Sequence, residues 1–528
     1  MKFDITHLLK PACYSHPVSQ IKLIETHISW VILTGEFAYK IKKPVNFGFL
    51  DFSTLDKRRE CCEQELRLNR RLAPEIYLDV VEITGSFDDP VISGQADVIE
   101  YAVKMLQFAQ QAQLDHMLAA GRLTARHMEA IAHMVADFHR SVEVATESMP
   151  YGNSDVVYQP VEENFVQIRQ HIDTAPYADT LDSLQHWSRS EFTRLEYVLN
   201  QRKRDGYVRE CHGDMHLRNL LWLEHGALNQ SIDRPVAFDC IEFNAQLRWI
   251  DVISEIAFLV MDLHDRQQHL LANRFLNTYL ESSGDYEGLS VLPFYFCYRA
   301  LVRAKVDALR LEQKNLDAAE QQASRREFES YLTLAMDSTQ RPTPRMILMR
   351  GVSASGKSTV SRQLVDALGA VRIRSDVERK RLFNLAADHA GANAIDSGIY
   401  SAQASDKTYA KLAELAATII TAGYSVIVDA AFLKHEQRAP FQSLARDCGI
   451  AFTIVEVTAP AEILRKRISA RVNDVSDADL AVLEHQLANW QALRDDERDV
   501  AISVDTTDSG AVTQAIDLVA SRSKTGFV

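Results

Sequence analysis

The 528-residue sequence has no C-x-x-C pair, no internal repeat and no low-complexity tract. Nor does any stretch approach the ~20 apolar residues that a membrane-spanning helix requires. The most apolar window, Ile253–Leu263, is interrupted by Glu255 and Asp262. Seven cysteines lie scattered, with Cys61 and Cys62 adjacent; this pattern excludes a disulfide frame or a zinc site and suits reduced thiols. The opening Met-Lys-Phe-Asp-Ile-Thr-His lacks the apolar core of a signal peptide, so a soluble cytoplasmic protein without membrane association is expected. Excess basic charge is also missing. A formal charge of −14 argues against a broad surface for nucleic acid or anionic lipid, while leaving room for local basic pockets.

What remains is ordinary globular composition, 46% hydrophobic and 25% charged, in a chain long enough for two or three domains. The clearest boundary is Asp337-Ser-Thr-Gln-Arg-Pro342-Thr-Pro344-Arg345, where two prolines stop a helical pattern. Domains are therefore expected at 1–337 and 345–528, with 338–344 as linker. The first has strand-like alternation up to about residue 105, including Ser29–Lys43 and Tyr77–Ile83, and is mainly helical from 106 to 337. In the second, short β-branched runs at Met346–Met349, Val371–Arg374, Ser425–Asp429, Phe452–Val457 and Val500–Val504 alternate with helical stretches. Continuous apolar strands separated by helices imply a mainly parallel sheet buried on both faces. An α+β domain followed by an α/β domain is the expected architecture.

Between the first strand and first helix of the second region lies Gly351-Val352-Ser353-Ala354-Ser355-Gly356-Lys357-Ser358-Thr359. This is the spacing of a phosphate-binding loop. Two glycines let backbone N–H groups surround a phosphate chain, and the following helix points its N-terminal dipole at the anion. Lys357 would reach the β/γ-phosphates of ATP and the Ser358 hydroxyl would bind Mg²⁺. Asp376 and Asp429 end the second and third apolar runs, where side chains of an open parallel sheet face the ligand crevice. Asp376 would accept a hydroxyl proton and Asp429 would orient the Mg²⁺ shell; either could instead cap the following helix. Arg465, Arg467 and Arg471 lie on one helical stretch, with 467 and 471 on a shared face. Arg467 and Arg471 would close over ATP, or form a solvated basic face.

These residues, with Ser375-Asp376-Val377-Glu378-Arg379, Val428-Asp429-Ala430 and the Ser/Asp-rich stretch at 473–479, resemble the P-loop small-molecule kinases of the gluconate-kinase and zeta-toxin-like group. The resemblance covers 345–528. It implies phosphoryl transfer and names no acceptor.

In the first region the decisive stretch is Cys211-His212-Gly213-Asp214-Met215-His216-Leu217-Arg218-Asn219. An Asp followed five residues later by Asn places a proton acceptor and a metal ligand together. Twenty residues on, the apolar run Val236-Ala237-Phe238 ends in Asp239. This set resembles the aminoglycoside-phosphotransferase-like branch of the protein-kinase-like fold. The resemblance implies a bilobal domain with Asp214 as catalytic base, Asn219 and Asp239 as Mg²⁺ ligands and Asp251 as a structural acid. It also implies a strand lysine paired with a helix carboxylate. Lys40 matches best, with Lys42 on the same strand face; Glu65 is the carboxylate, with Glu63 and Glu60 as rivals. Glu100–Met105 resembles the hinge between lobes. Two departures, a single Gly35 in place of a glycine-rich loop and Asp239-Cys240-Ile241-Glu242 as the metal loop, count against protein-kinase activity.

The expected whole is an ATP- and Mg²⁺-dependent phosphotransferase with two nucleotide sites acting on hydroxyls of small molecules. The alternatives are a nucleotide-dependent switch, in which one module controls the other or a partner, and a kinase of protein or RNA.

Overall fold

Apolar and charged residues alternate along Tyr39-Lys40-Ile41-Lys42, and this period of two belongs to the sheet that positions the first site. The computed structural model describes residues 3–46, 50–226, 233–312, 316–385, 401–470 and 480–522. Strands β1 (Lys22–Glu25), β2 (Ser29–Leu33), β3 (Phe37–Lys42), β4 (Tyr77–Gly85), β5 (Pro90–Ile92) and β6 (Val98–Leu106) form one antiparallel sheet in the order β1-β2-β3-β6-β4-β5. Tyr39 and Ile41 of β3 bury one face with Ile32, Ile83 and Ala102. Ala38 points to the other, where Cys62 of the helix Leu55–Asn69 packs. Lys40 and Lys42 share that second face by the same alternation, which aims both at this helix.

Beyond β6 the chain is mainly helical, in Ala125–Ser141, Ser154–His171, Ala178–Arg204, Val252–Asp265, Leu292–Leu311 and Ala318–Ser338. Among the described residues it also holds four short strands, of which the apolar run ending at Asp239 announces only β9: β7 (Val208–Glu210), β8 (Leu220–Leu223), β9 (Arg234–Ala237) and β10 (Trp249–Asp251). They pair as β7 with β10 and β8 with β9, antiparallel. Every residue of β8 is buried, so it shows no alternation to read.

One buried group makes this part acid-sensitive. His139 is 3% exposed on the helix Ala125–Ser141. Desolvation, reinforced by the charge of Arg209, lowers its pKa from the ordinary 6.5 to about 3. Above pH 6.5 the ring is neutral in folded and unfolded chains alike. As the pH falls from there towards about 3, the unfolded chain takes up a proton that the folded one refuses, so stability is lost through that window. We expect His139→Gln to flatten the slope by up to about 1.4 kcal/mol per pH unit, measured by denaturant unfolding between pH 7 and 4.

The second sheet is wholly parallel. Strands β11 (Arg345–Arg350), β12 (Val371–Arg374), β13 (Val426–Asp429), β14 (Ala451–Thr458) and β15 (Ala501–Asp505) run in the order β12-β13-β11-β14-β15. Ile347, Met349, Ile427, Val455, Val457 and Val504 form its core with Val360 and Leu364 of the helix Lys357–Leu368 and Ala515 and Val519 of Ala511–Ser521. The chain leaves β11 towards one edge and later returns to build the other. A ligand crevice belongs at the carboxyl end of such a strand.

By contacts the chain divides into Met1–Arg266 with Phe294–Met336, and Gln267–Pro293 with Asp337–Val528. It thus crosses between units three times, where the sequence suggests a single linker at 338–344. The stretch 267–293, expected within the first domain, packs in the second. No helix among the described residues is long and apolar enough to cross a membrane.

Two candidate nucleotide sites

In the first unit, β7 delivers the chain to His212-Gly213-Asp214. Gly213 has φ of +88°, and a Cβ there would stand 2.6 Å from the Leu247 carbonyl oxygen, so the turn admits only glycine. Glu255, buried on the helix Val252–Asp265, accepts from the backbone N–H groups of His212 and Gly213 at 2.6 and 2.8 Å. The His212 ring pairs through Nε2 with the Phe238 carbonyl at 2.9 Å, and burial pushes its pKa down. A neutral ring with its proton on Nε2 satisfies that carbonyl and lets Nδ1 accept from the Asp214 N–H at 3.3 Å. This one ring therefore ties the turn to the Asp239 loop.

The structure brings the expected residues together around that tie. Asn219 Nδ2 donates to both the main-chain oxygen and Oδ2 of Asp214, each at 2.9 Å. His216 Nε2, which no motif singles out, lies 3.6 Å from Asp214 Oδ2. Burial opposes ionisation of Asp214, but His216 first and Arg299 as well outweigh it and hold the carboxyl well below its usual range. Asp239 adopts a left-handed φ of +63° and donates its N–H to the Tyr77 hydroxyl at 3.1 Å. Its carboxylate meets Lys40 Nζ at 2.5 Å, and Lys40 meets Glu65 at 2.8 Å.

The alternation continues past Lys40. Lys42, fully buried, pairs with Glu65 and with Glu242. Asp239, Lys40, Glu65, Lys42 and Glu242 thus form a ladder of alternating charge from the cleft into the interior. Desolvation raises the Glu65 pKa, yet Lys40 and Lys42 together bring it down to about 2. Removing one member of so buried a set would strand the opposite charge, at a cost of about 3–5 kcal/mol. Of the rivals, Glu63 pairs with Arg59 on the surface and Glu60 is exposed. Lys40 is the lysine beside the Asp239 carboxylate, and Lys42 is buried further along the strand against Glu65 and Glu242.

Two expectations in this unit need correction or refinement. Glu100–Met105 is no hinge: it lies inside β6, hydrogen-bonded to β3 and β4, and Glu100 is buried against Arg58. The strand runs on to Leu106, and the chain leaves the sheet at Gln107, whose N–H donates to the Glu36 carbonyl at 2.9 Å. Asp251 takes its expected structural place, capping Val252–Asp265 through the Ile253 N–H and paired bidentately with Arg202 at 2.7 and 2.9 Å.

In the second unit the loop follows β11 directly. At Gly351 a Cβ would meet the Val457 carbonyl oxygen at 2.4 Å, and at Gly356, φ +97°, it would meet Thr506 at 2.9 Å. Ala354 holds a left-handed φ of +62°. The Ser353 N–H donates to Gln486 at 2.6 Å, and Lys357 Nζ folds back onto the Val352 carbonyl at 3.1 Å. Ser358 and Thr359 are exposed at the start of the helix, whereas Ser355 Oγ is buried with no hydrogen-bond partner among the described residues. Arg467 donates to the carbonyls of Ala354 and Ser355 at 3.2 and 3.4 Å and to Thr506 Oγ1 at 2.8 Å. It therefore braces the loop through its main-chain oxygens. Arg471 and the stretch 473–479 lie outside the described residues.

Asp429 ends β13, 6% exposed, and accepts from Ser361 Oγ at 2.8 Å, one turn along the helix from Ser358. Asp376 sits in the first turn of the helix Ser375–Leu382, two residues past the end of β12, and receives Arg374 at 2.7 Å. Neither caps a helix: the capping positions are Lys434 and Arg374.

The residues present fit ATP and a hard cation in both units. A glycine-lined cradle with the buried Ser355 hydroxyl and a folded-back lysine suits a phosphate chain. Ser358 with Asp429, and Asn219 with Asp239, offer oxygen donors only, the set that Mg²⁺ takes.

The profile of a family described as an AAA domain matches residues 346–493. Two curated relatives, the uncharacterized proteins Rv2004c of Mycobacterium tuberculosis (strain ATCC 25618 / H37Rv) and Mb2027c of Mycobacterium bovis (strain ATCC BAA-935 / AF2122/97), are each 31% identical over 484 residues, spanning 90% of this chain and 93% of theirs. Among solved structures, the amicoumacin kinase hAmiN in complex with AMP-PNP, Ca²⁺ and Ami aligns at 13% identity and a TM-score of 0.40, covering 63% of this chain and 94% of that one. A sugar kinase from Janibacter sp. HTCC2649 aligns at 25% identity and a TM-score of 0.27, covering 34% and 94%. With nine-tenths of its length aligned, this chain, an α+β unit built on an antiparallel sheet and an α/β P-loop unit built on a parallel one, belongs to the same family as the two mycobacterial proteins.

Proposed function

We propose that the chain is a phosphotransferase with two sites, each moving the γ-phosphoryl group of ATP to a hydroxyl of its own small-molecule acceptor. The observation that carries this reading is the ladder that sets Asp239, Lys40 and Glu65 in contact beside the Asp214–Asn219 pair, in a chain that also contains a P-loop.

In the first unit Lys40 neutralises the α/β-phosphates, and Asn219 holds Asp214 where an acceptor hydroxyl is presented. Asp214 takes the hydroxyl proton as the new O–P bond forms and the β–γ bridge breaks, leaving ADP. Its low pKa keeps it ionised and ready at neutral pH. In the second unit the loop N–H groups and Lys357 hold the phosphates, Arg467 keeps the loop closed, and Asp376 receives the acceptor proton. Mg²⁺, held by Asn219 and Asp239 in one unit and by Ser358 and Asp429 in the other, would neutralise phosphate charge when bound.

The test is a metabolite panel incubated with γ-labelled ATP and the full chain, unmodified or carrying Asp214→Ala, Lys357→Ala or both. Two sets of labelled products should disappear separately. A single variant that abolishes every product would overturn the two-site reading.

A further inference from the structure

Strand β12 is an edge strand of the parallel sheet, and an open edge demands cover. The helix His269–Ser283 supplies it. Asn277 accepts from the Arg372 N–H at 2.7 Å and donates to the Ala370 carbonyl at 3.1 Å, imitating the missing neighbouring strand. Arg274 pairs with Asp366, and Asn273 donates to the Asp366 carbonyl at 3.1 Å, fixing the helix to Lys357–Leu368. Tyr286, 1% exposed, donates to Glu378 at 3.2 Å. These are specific side-chain bonds, not a slippery apolar contact.

One residue of that helix reaches the chemistry. Glu281 accepts from Arg372 at 3.1 Å and from Arg374 at 3.0 Å. Arg374 turns its other nitrogen to Asp376 at 2.7 Å. Arg372 donates to Ser361 Oγ at 3.2 Å and to the Ser358 carbonyl at 3.5 Å, and Ser361 holds Asp429. From Glu281, then, two arginine arms extend. One orients the acid assigned to the acceptor, and the other steadies the pair assigned to the cation.

We propose that Gln267–Pro293 is a working part of the P-loop site and that Glu281 is its positioning residue, setting Asp376 through Arg374 and the Ser358–Asp429 pair through Arg372. This rests on reading 351–359 as a nucleotide site. Without the Glu281 carboxylate, two neighbouring guanidinium groups repel each other and turn to the nearest remaining acids, Asp376 and Asp429. Mg²⁺ is then opposed by misdirected positive charge. A chain beginning at residue 337 would lack this residue altogether, so the whole chain must be studied.

The test uses the full chain with Lys40→Ala, which weakens nucleotide binding in the first unit, and measures affinity for ATP with Mg²⁺ and with chelator. Lys357→Ala added to this background defines how much of the binding belongs to the P-loop. Glu281→Gln should cut the Mg²⁺-dependent gain in affinity at least fivefold, leave affinity in chelator within twofold, and be partly rescued by Glu281→Asp. An unchanged Mg²⁺ gain, or equal weakening with and without Mg²⁺, overturns the positioning role. If Lys357→Ala changes nothing, it is the nucleotide reading of the loop that fails, a separate outcome.

Discussion

Lys357→Ala is expected to lower phosphoryl transfer by the second unit about 10²–10³-fold, the usual cost of removing one fixed charge aimed at a transferring group. The side chain is partly exposed and its Nζ donates to the loop carbonyl of Val352 at 3.1 Å, outside the packed core, so the fold should survive. The loop itself is held by other residues: Arg467 on the Ala354 and Ser355 carbonyls, Gln486 on the Ser353 N–H, and the tight approach of Gly351 to Val457. The loss should therefore appear in turnover and ATP affinity without a shift in unfolding temperature. The measurement is ADP release with whichever acceptor Asp214→Ala leaves untouched. A rate within threefold of the unmodified chain would contradict the assignment.

Asp214→Asn should be at least as damaging to the first unit, about 10²–10⁴-fold, because it removes the proton acceptor and keeps its shape. Asn219 keeps its bond to the main-chain oxygen of residue 214, so the turn should persist. The ladder from Asp239 to Glu242 does not involve Asp214, so ATP affinity should change less than threefold. The expected result is a fall in kcat at nearly constant KM for ATP, read with an acceptor lost in Asp214→Ala. Equal losses in both parameters would make Asp214 a binding residue instead.

How much of this was legible beforehand depended on whether the chemistry is contiguous. Gly351–Thr359 and Asp214–Asn219 are short motifs, and the structure sets each on the turn its spacing requires. Lys40 could not be separated from Lys42, because strand alternation sends both to the same face; only the fold shows that Asp239 meets one and Glu242 the other. Glu242 itself carried no signal, since its partner is two hundred residues away in sequence. The hinge was misplaced because Val98–Leu106 is one continuous strand with nothing to mark where its interior ends. Strands β7, β8 and β10 leave no mark in the sequence because three or four residues are too few to show a period. The stretch 267–293 reads as ordinary amphipathic helix, and its membership of the second unit depends on partners such as Asp366 and Arg372 that no local pattern reveals.

The central claim is that one chain carries two nucleotide sites, and counting them tests it most directly. Titration of the full chain with a non-hydrolysable ATP analogue and Mg²⁺ should give two equivalents bound, falling to one with Lys357→Ala. A single equivalent in the unmodified chain, or none left in the variant, would contradict it.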